Sequence, residues 1–283
     1  NGLKRVMNFE QSNVKNNYSY KPEILNRYGR IFSLDKLEQF SSKIHSICTN
    51  IMNSKGISII YSQYIEGGAV PIALALEELG FTRYSTSPNA TSLFNIPPVE
   101  PLDSMYMKPK SQLKNIPNFK PARYAMITGD SFFSQKNADD LSFINRPENN
   151  NGSQVKVIII SEAASEGLDF ANIRQVHIME PWYNLNRIEQ IIGRGVRNLS
   201  HCSLPFKERN VEIYMYSMRP ILLEEKKLET IDMYVYRLAE KKSKQIGDVT
   251  RLLKEISIDC NLNIAQTNLS MDKFKEVTDN NVI

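Results

Sequence analysis

The sequence predicts an α/β domain in three layers, a mostly parallel sheet wrapped by helices on both faces, with a Pro-rich insertion and a C-terminal helical extension. Three observations carry this. Short apolar, β-branched runs alternate along the chain with stretches of helical period; seven of the 13 prolines crowd into residues 80–121; and beyond Glu224 the pattern is helical only.

Residues 1–20 are polar, Asn-rich and without apolar period, which predicts a loop or linker. Leu34, Leu37, Phe40, Ile44, Ile47 and Ile51 recur at three- and four-residue spacing, so one helix fits 33–54 with Ser33 as its N-cap. After Gly56, Ile57 to Tyr61 reads as a strand covered on both faces, and a helix follows over 70–79 with Gly80 as its stop. Prolines 88, 97, 98, 101, 109, 117 and 121 exclude an interior helix or central strand, so 80–121 is read as an insertion. Its five basic side chains (Arg83, Lys108, Lys110, Lys114, Lys120) against Glu100 and Asp103 could touch a phosphate backbone, although such a charged loop is more often simply solvated.

Beyond it, strands fit 123–128, 155–160, 176–179 and 211–216. A helix capped by Ser134 fits 135–145, and another fits 185–193. Thr230 and Asp248 are the predicted N-caps of two terminal helices, and the residues after Asp259 are polar.

Composition excludes several classes. Twelve glycines and 13 prolines in 283 residues are too few for a low-complexity chain. Cys48, Cys202 and Cys260 are scattered, which excludes a disulfide framework and a Cys-x-x-Cys metal site, and His201-Cys202 has no partner at metal spacing, so no metal ligands are assigned. No apolar run approaches the roughly 18 residues of a membrane span, so a soluble intracellular protein is expected. The net charge of +4 permits a polyanionic partner without requiring one.

Two runs could carry chemistry. Gln190-Ile-Ile-Gly193-Arg194-Gly-Val-Arg197 brings two guanidinium groups to the end of the predicted 185–193 helix. Such forks bind phosphate oxygens bidentately, and Gly193 and Gly195 would keep side chains clear of the ligand. Ser161-Glu-Ala-Ala-Ser-Glu-Gly167-Leu-Asp169 begins where the 155–160 strand ends, which is where ligands bind in open parallel sheets. No GxxxxGK[ST] phosphate loop occurs, so the chain is expected to supply half of a nucleotide site. Trp182, Tyr183 and Tyr64 could stack on bases, although aromatics beside apolar strands more often pack.

In this order the two runs resemble motifs V and VI of superfamily 2 helicases and Swi/Snf-type ATPases. Ser161, Gly167 and Asp169 match the first, and Gln190, Gly193, Arg194 and Arg197 the second. Residues 57–63 resemble motif IV, and Pro181-Trp182-Tyr183-Asn184 resembles the segment Swi/Snf-type proteins carry before motif VI. Tyr28-Gly-Arg-Ile-Phe32, residues 73–81 and Lys241-Lys-Ser-Lys-Gln-Ile-Gly247 resemble helicases of large cytoplasmic DNA viruses. That group includes the poxvirus nucleoside triphosphatase and early transcription factor small subunit, and mimivirus-like relatives.

The resemblance implies a RecA-like C-terminal lobe over 33–220. Residues 1–32 would be a linker from a missing N-terminal lobe, 221–258 a helical extension and 259–283 a polar tail. It further implies ATP with Mg²⁺ as cofactor, the metal held mainly by the missing lobe, and DNA or RNA as partner. Arg194, Arg197 and Gln190 would be catalytic, Gly167, Asp169 and Gly193 would lie on the nucleotide, and Ser161, Ser62 and Gln63 on the strand. Ile191 stands where many helicases carry a further Arg, as in Swi/Snf-type proteins, which implies translocation rather than unwinding. The alternative is a non-catalytic scaffold among viral transcription subunits. The resemblance implies host cytoplasm or virion as the location.

Overall fold

The computed structural model describes residues 2–11, 16–88, 92–113, 118–162, 168–219 and 229–262. Six strands form its main sheet: β3 (Ile57–Tyr61), β4 (Thr82–Tyr84), β5 (Arg123–Ile127), β6 (Val157–Ile160), β7 (Ile173–Ile178) and β8 (Glu212–Met215). Their order is β4-β5-β6-β3-β7-β8, and every ladder in it is parallel. The strand order reverses beside β3, so the carboxyl ends of β3, β6 and β7 share one edge at the centre of the sheet.

Alternation along the strands builds the layers. Ile60, Tyr124, Met126, Val157 and Ile159 face a core formed with α4 (Ser42–Asn53) and α5 (Val70–Leu79). Ile59, Tyr61, Ala125, Ile127, Ile158, Ile160 and Val176 face the opposite core, closed by α6 (Asn137–Ile144) and α7 (Leu185–Gly195). With both faces covered, the central strands are continuous apolar runs, as the sequence predicts.

Several boundaries differ from expectation. Residues 1–20 are not a bare loop. A short helix, α1 (Gly2–Val6), leads into an antiparallel hairpin of β1 (Met7–Gln11) and β2 (Asn16–Tyr20). Met7 and Tyr18 are buried, Tyr20 Oη donates to Glu78 at 2.8 Å, and after α2 (Pro22–Tyr28) Arg30 forms an ion pair with the same carboxylate. The predicted helix over 33–54 is two, α3 (Leu34–Phe40) and α4. Ser41 turns extended between them, and its hydroxyl accepts from Ile44 N, while Ser33 makes no cap bond.

The insertion begins after β4, which is an edge strand, and it is packed rather than merely solvated. Leu93, Phe94 and Leu102 are buried, and the buried Glu77 carboxylate accepts from Ser92 Oγ, Leu93 N, Phe94 N and Tyr124 Oη. Gly80 ends α5 at φ 101°, where an added Cβ would stand 2.7 Å from Glu100 O. Ser134 does not cap α6, because its hydroxyl is bonded to Thr128 instead.

The terminal helix α8 (Ile231–Glu255) is continuous, capped by Thr230 and running straight through Asp248, which caps nothing. Among the described residues no helix is long and apolar enough to cross a membrane.

Candidate functional site

The site is assembled by α7 and the loops at the central edge of the sheet. Helix α7 lies against β7 at Gly195, where a Cβ would stand 2.7 Å from Val176 Cγ2 and 3.1 Å from Ile173 Cγ2. Gly195 is therefore required by helix–sheet contact, not by ligand clearance. Gly193 faces open space, with nothing within 4 Å of an added Cβ. The helix reaches past the expected Gly193, so Arg194 occupies its last turn and Arg197 follows its end.

Both arginines converge on Asp169. Arg197 Nη1 is ion-paired with Asp169 Oδ1, and Arg194 Nη1 stands 3.9 Å from the same oxygen while donating to Leu168 O at 3.0 Å. Arg197 Nε donates to Gly193 O at 3.2 Å, which folds the side chain back over its own helix. Arg194 is largely buried, with a side-chain exposure of 15%, and its Nε has no hydrogen-bond partner among the described residues, whereas the Asp169 side chain is 69% exposed. Two cations on one exposed carboxylate leave a net positive charge and a buried donor without an acceptor. An exposed ion pair contributes about 1 kcal/mol or less, so an anion of higher charge can displace Asp169. Gln190 is exposed one turn before Arg194, with no partner for its side-chain amide among the described residues. Gly167 lies outside the described residues.

The three residues expected on a strand divide. Ser62 is fully buried, its hydroxyl 3.0 Å from both Glu180 Oε1 and Tyr64 O, and Ser161 is 2% exposed, its Oγ accepting from Gly129 N at 3.3 Å. Both hydroxyls fasten neighbouring strand ends, and contact with a ligand would require those bonds to open. Gln63 is partly exposed, its backbone N–H donating to Glu180 Oε2 at 3.0 Å and its side chain making no hydrogen bond among the described residues.

Glu180 was not predicted from sequence. It follows β7, and burial pushes its carboxyl up from the ordinary value against the lowering by Gln63 N and Ser62. Gly68 makes room for this cluster, since a Cβ there would stand 1.9 Å from Ser62 Oγ. An acidic residue before Pro181 reads as a turn, and only its position at the end of β7 reveals its task. Trp182 is also accounted for: the Arg187 guanidinium lies 4.3 Å from its ring centroid and is ion-paired with Glu162, so the indole packs rather than presenting a free face.

The chain is similar in sequence to known proteins. Residues 110–198 match the Helicase conserved C-terminal domain, a span that includes Asp169, Arg194 and Arg197. A protein of Invertebrate iridescent virus 3 that carries the name helicase 087L is 27% identical over 219 residues, covering 77% of this chain and 20% of that protein. The Acanthamoeba polyphaga mimivirus protein named ATP-dependent RNA helicase R350 is 40% identical over 124 residues, 43% of this chain and 15% of its own length. A termination factor NPH-I homolog of African swine fever virus is 27% identical over 242 residues, 80% of this chain and 34% of its own. The chain thus spans about a third or less of each of these three relatives. The C-terminal part of the Fun30 ATPase domain overlays with a TM-score of 0.41 at 12% identity, covering 78% of this chain and 48% of that one, too loose a likeness to bear on function. With its parallel topology, the order of its motifs and its relatives in agreement, the chain resembles the C-terminal lobe of superfamily 2 helicases of the viral type.

Proposed function

We propose that this lobe works in a nucleic-acid-dependent ATPase that couples ATP hydrolysis to movement along DNA or RNA, closing on a second lobe that supplies the phosphate loop and most of the Mg²⁺ coordination. The observation that carries the reading is the pair of guanidinium groups gathered on Asp169, with Arg194 Nε buried and unpartnered among the described residues. That arrangement suits a terminal phosphate, whose oxygens would take the place of the Asp169 carboxylate.

In this reading Arg194 and Arg197 neutralise the charge that spreads over a transferring phosphoryl group, and Gln190, exposed beside them, orients the arginines or the attacking water. Bare Gly193 leaves room for the nucleotide, Asp169 joins the phosphate side to the sheet edge, and Gly167 is assigned to the nucleotide by its motif alone. Gln63 reaches the strand, with Ser62 and Ser161 holding the edge it lies on. Relatives named as RNA helicases favour RNA, and one named as a termination factor homolog favours transcription subunits as neighbours.

The test is ATP turnover by this lobe joined to its phosphate-loop lobe, with single-stranded and duplex DNA and RNA, beside the Arg197→Ala variant. Stimulated turnover that falls by about 10³ or more in the variant is expected. No turnover with any nucleic acid would replace this reading with the scaffold.

A further inference from the structure

A groove of about 1150 Å³ opens at the same edge of the sheet, between α1–β1 on one side and the loops after β3 and β5 on the other. The rings of Phe9, Tyr64 and Phe132 line it, together with Gln63, Lys4 and Asp130. Phe9 and Tyr64 are exposed and Phe132 is half-buried, so each ring presents part of its surface to solvent.

We propose that this groove takes an unstacked base of a single nucleic-acid strand. The proposal rests on the reading of the lobe as a strand-dependent ATPase.

The lining mixes aliphatic side chains such as Leu3, Ile44 and Met179 with aromatic rings, and the rings are what suit a base. Its rings have faces on which a planar base can stack, and the Gln63 amide offers a donor and an acceptor to the base edge. The groups are held before any ligand arrives. Asp130 Oδ1 accepts from Phe132 N at 2.8 Å, Phe132 packs on Phe9 at 5.6 Å between ring centroids, Phe9 packs on Tyr18 at 4.8 Å, and Glu180 fixes the Gln63 backbone. Lys4, 4.0 Å from Glu66 and well exposed, lies beside the Glu66 and Asp130 carboxylates that also line the groove, so stacking on the rings rather than attraction of phosphate would hold the base. Bases inside a duplex are stacked and paired, so the groove selects single strands.

The test uses the full chain and a short single-stranded oligonucleotide carrying one 2-aminopurine, followed by emission and anisotropy. Wild type is expected to quench the probe. Phe132→Leu, which keeps apolar volume but removes the ring, should lose the quenching and raise Kd about five- to hundredfold, while Phe132→Tyr retains both. Replacing the probe base by an abasic site should weaken wild-type binding similarly and leave Phe132→Leu with no further loss. A strand that binds with Phe132→Leu and Tyr64→Ala both without effect would overturn the groove alone and point to an apolar partner surface as its occupant. A strand that does not bind wild type at all would overturn the groove, whereas turnover stimulated by nucleic acid in the two-lobed protein would leave the ATPase reading standing.

Discussion

Asp169 Oδ1 is paired with Arg197 Nη1 and stands 3.9 Å from Arg194 Nη1, so one exposed carboxylate holds both guanidinium groups that could receive a phosphate. It competes for the place that an anion would take. Asp169→Asn should remove that competition. We expect inorganic triphosphate to bind the chain about fivefold more tightly, corresponding to about 1 kcal/mol, with thermal stability almost unchanged because the pair is exposed. Calorimetric titration at low salt measures it, and equal affinities in the two proteins would show that the carboxylate does not compete.

Gly193 and Gly195 separate two roles within one helix turn. Gly195→Ala drives a methyl to within 2.7 Å of Val176 Cγ2 and should destabilise the lobe by about 1–3 kcal/mol, lowering Tm by several degrees. Gly193→Ala meets open space in the same helix and should leave stability equal or raised by up to about 1 kcal/mol. Thermal unfolding of the two variants decides it, and a Gly193→Ala protein as unstable as Gly195→Ala would contradict the packing account.

How much of this was legible depended on how each feature is encoded. The strands of 157–160 and 57–61 and the helix of 185–195 announce themselves because burial on both faces, or on one stripe, demands many apolar residues in a fixed period. The arginines and Asp169 were legible because a spaced motif links them, although only the fold shows the three side chains in contact.

The hairpin of 7–20 was not legible. Its apolar face is only Met7, Phe9, Tyr18 and Tyr20 in an Asn-rich segment, and its support comes from the distant Glu78 and Leu93. Its discovery matters, because Phe9 supplies one wall of the aromatic groove. Glu180, Ser62 and Gly68 form their cluster across more than a hundred residues, a separation that no local pattern reports.

His177 on β7 is fully buried and lies in a hydrogen-bonded chain. Asn50 Nδ2 donates to Tyr216 Oη at 3.0 Å, Tyr216 Oη donates to His177 Nδ1 at 2.9 Å, and the Nε2–H is left to Gln175 Oε1 at 3.1 Å, an assignment the network itself dictates. Burial lowers the imidazole pKa to about 4, against a smaller upward pull from Glu212. The unfolded chain therefore binds a proton between about pH 6.5 and 4 that the folded chain refuses, and stability falls as pH drops through that window. At about 1.4 kcal/mol per pKa unit the loss over the whole window is roughly 3 kcal/mol or slightly more. His177→Gln removes the titration but keeps a polar group facing Tyr216. Urea unfolding at pH 7 and pH 4.5 should show the wild type losing about 2–3 kcal/mol more than the variant between the two conditions. Equal losses would mean that the neutral imidazole is not what the fold selects.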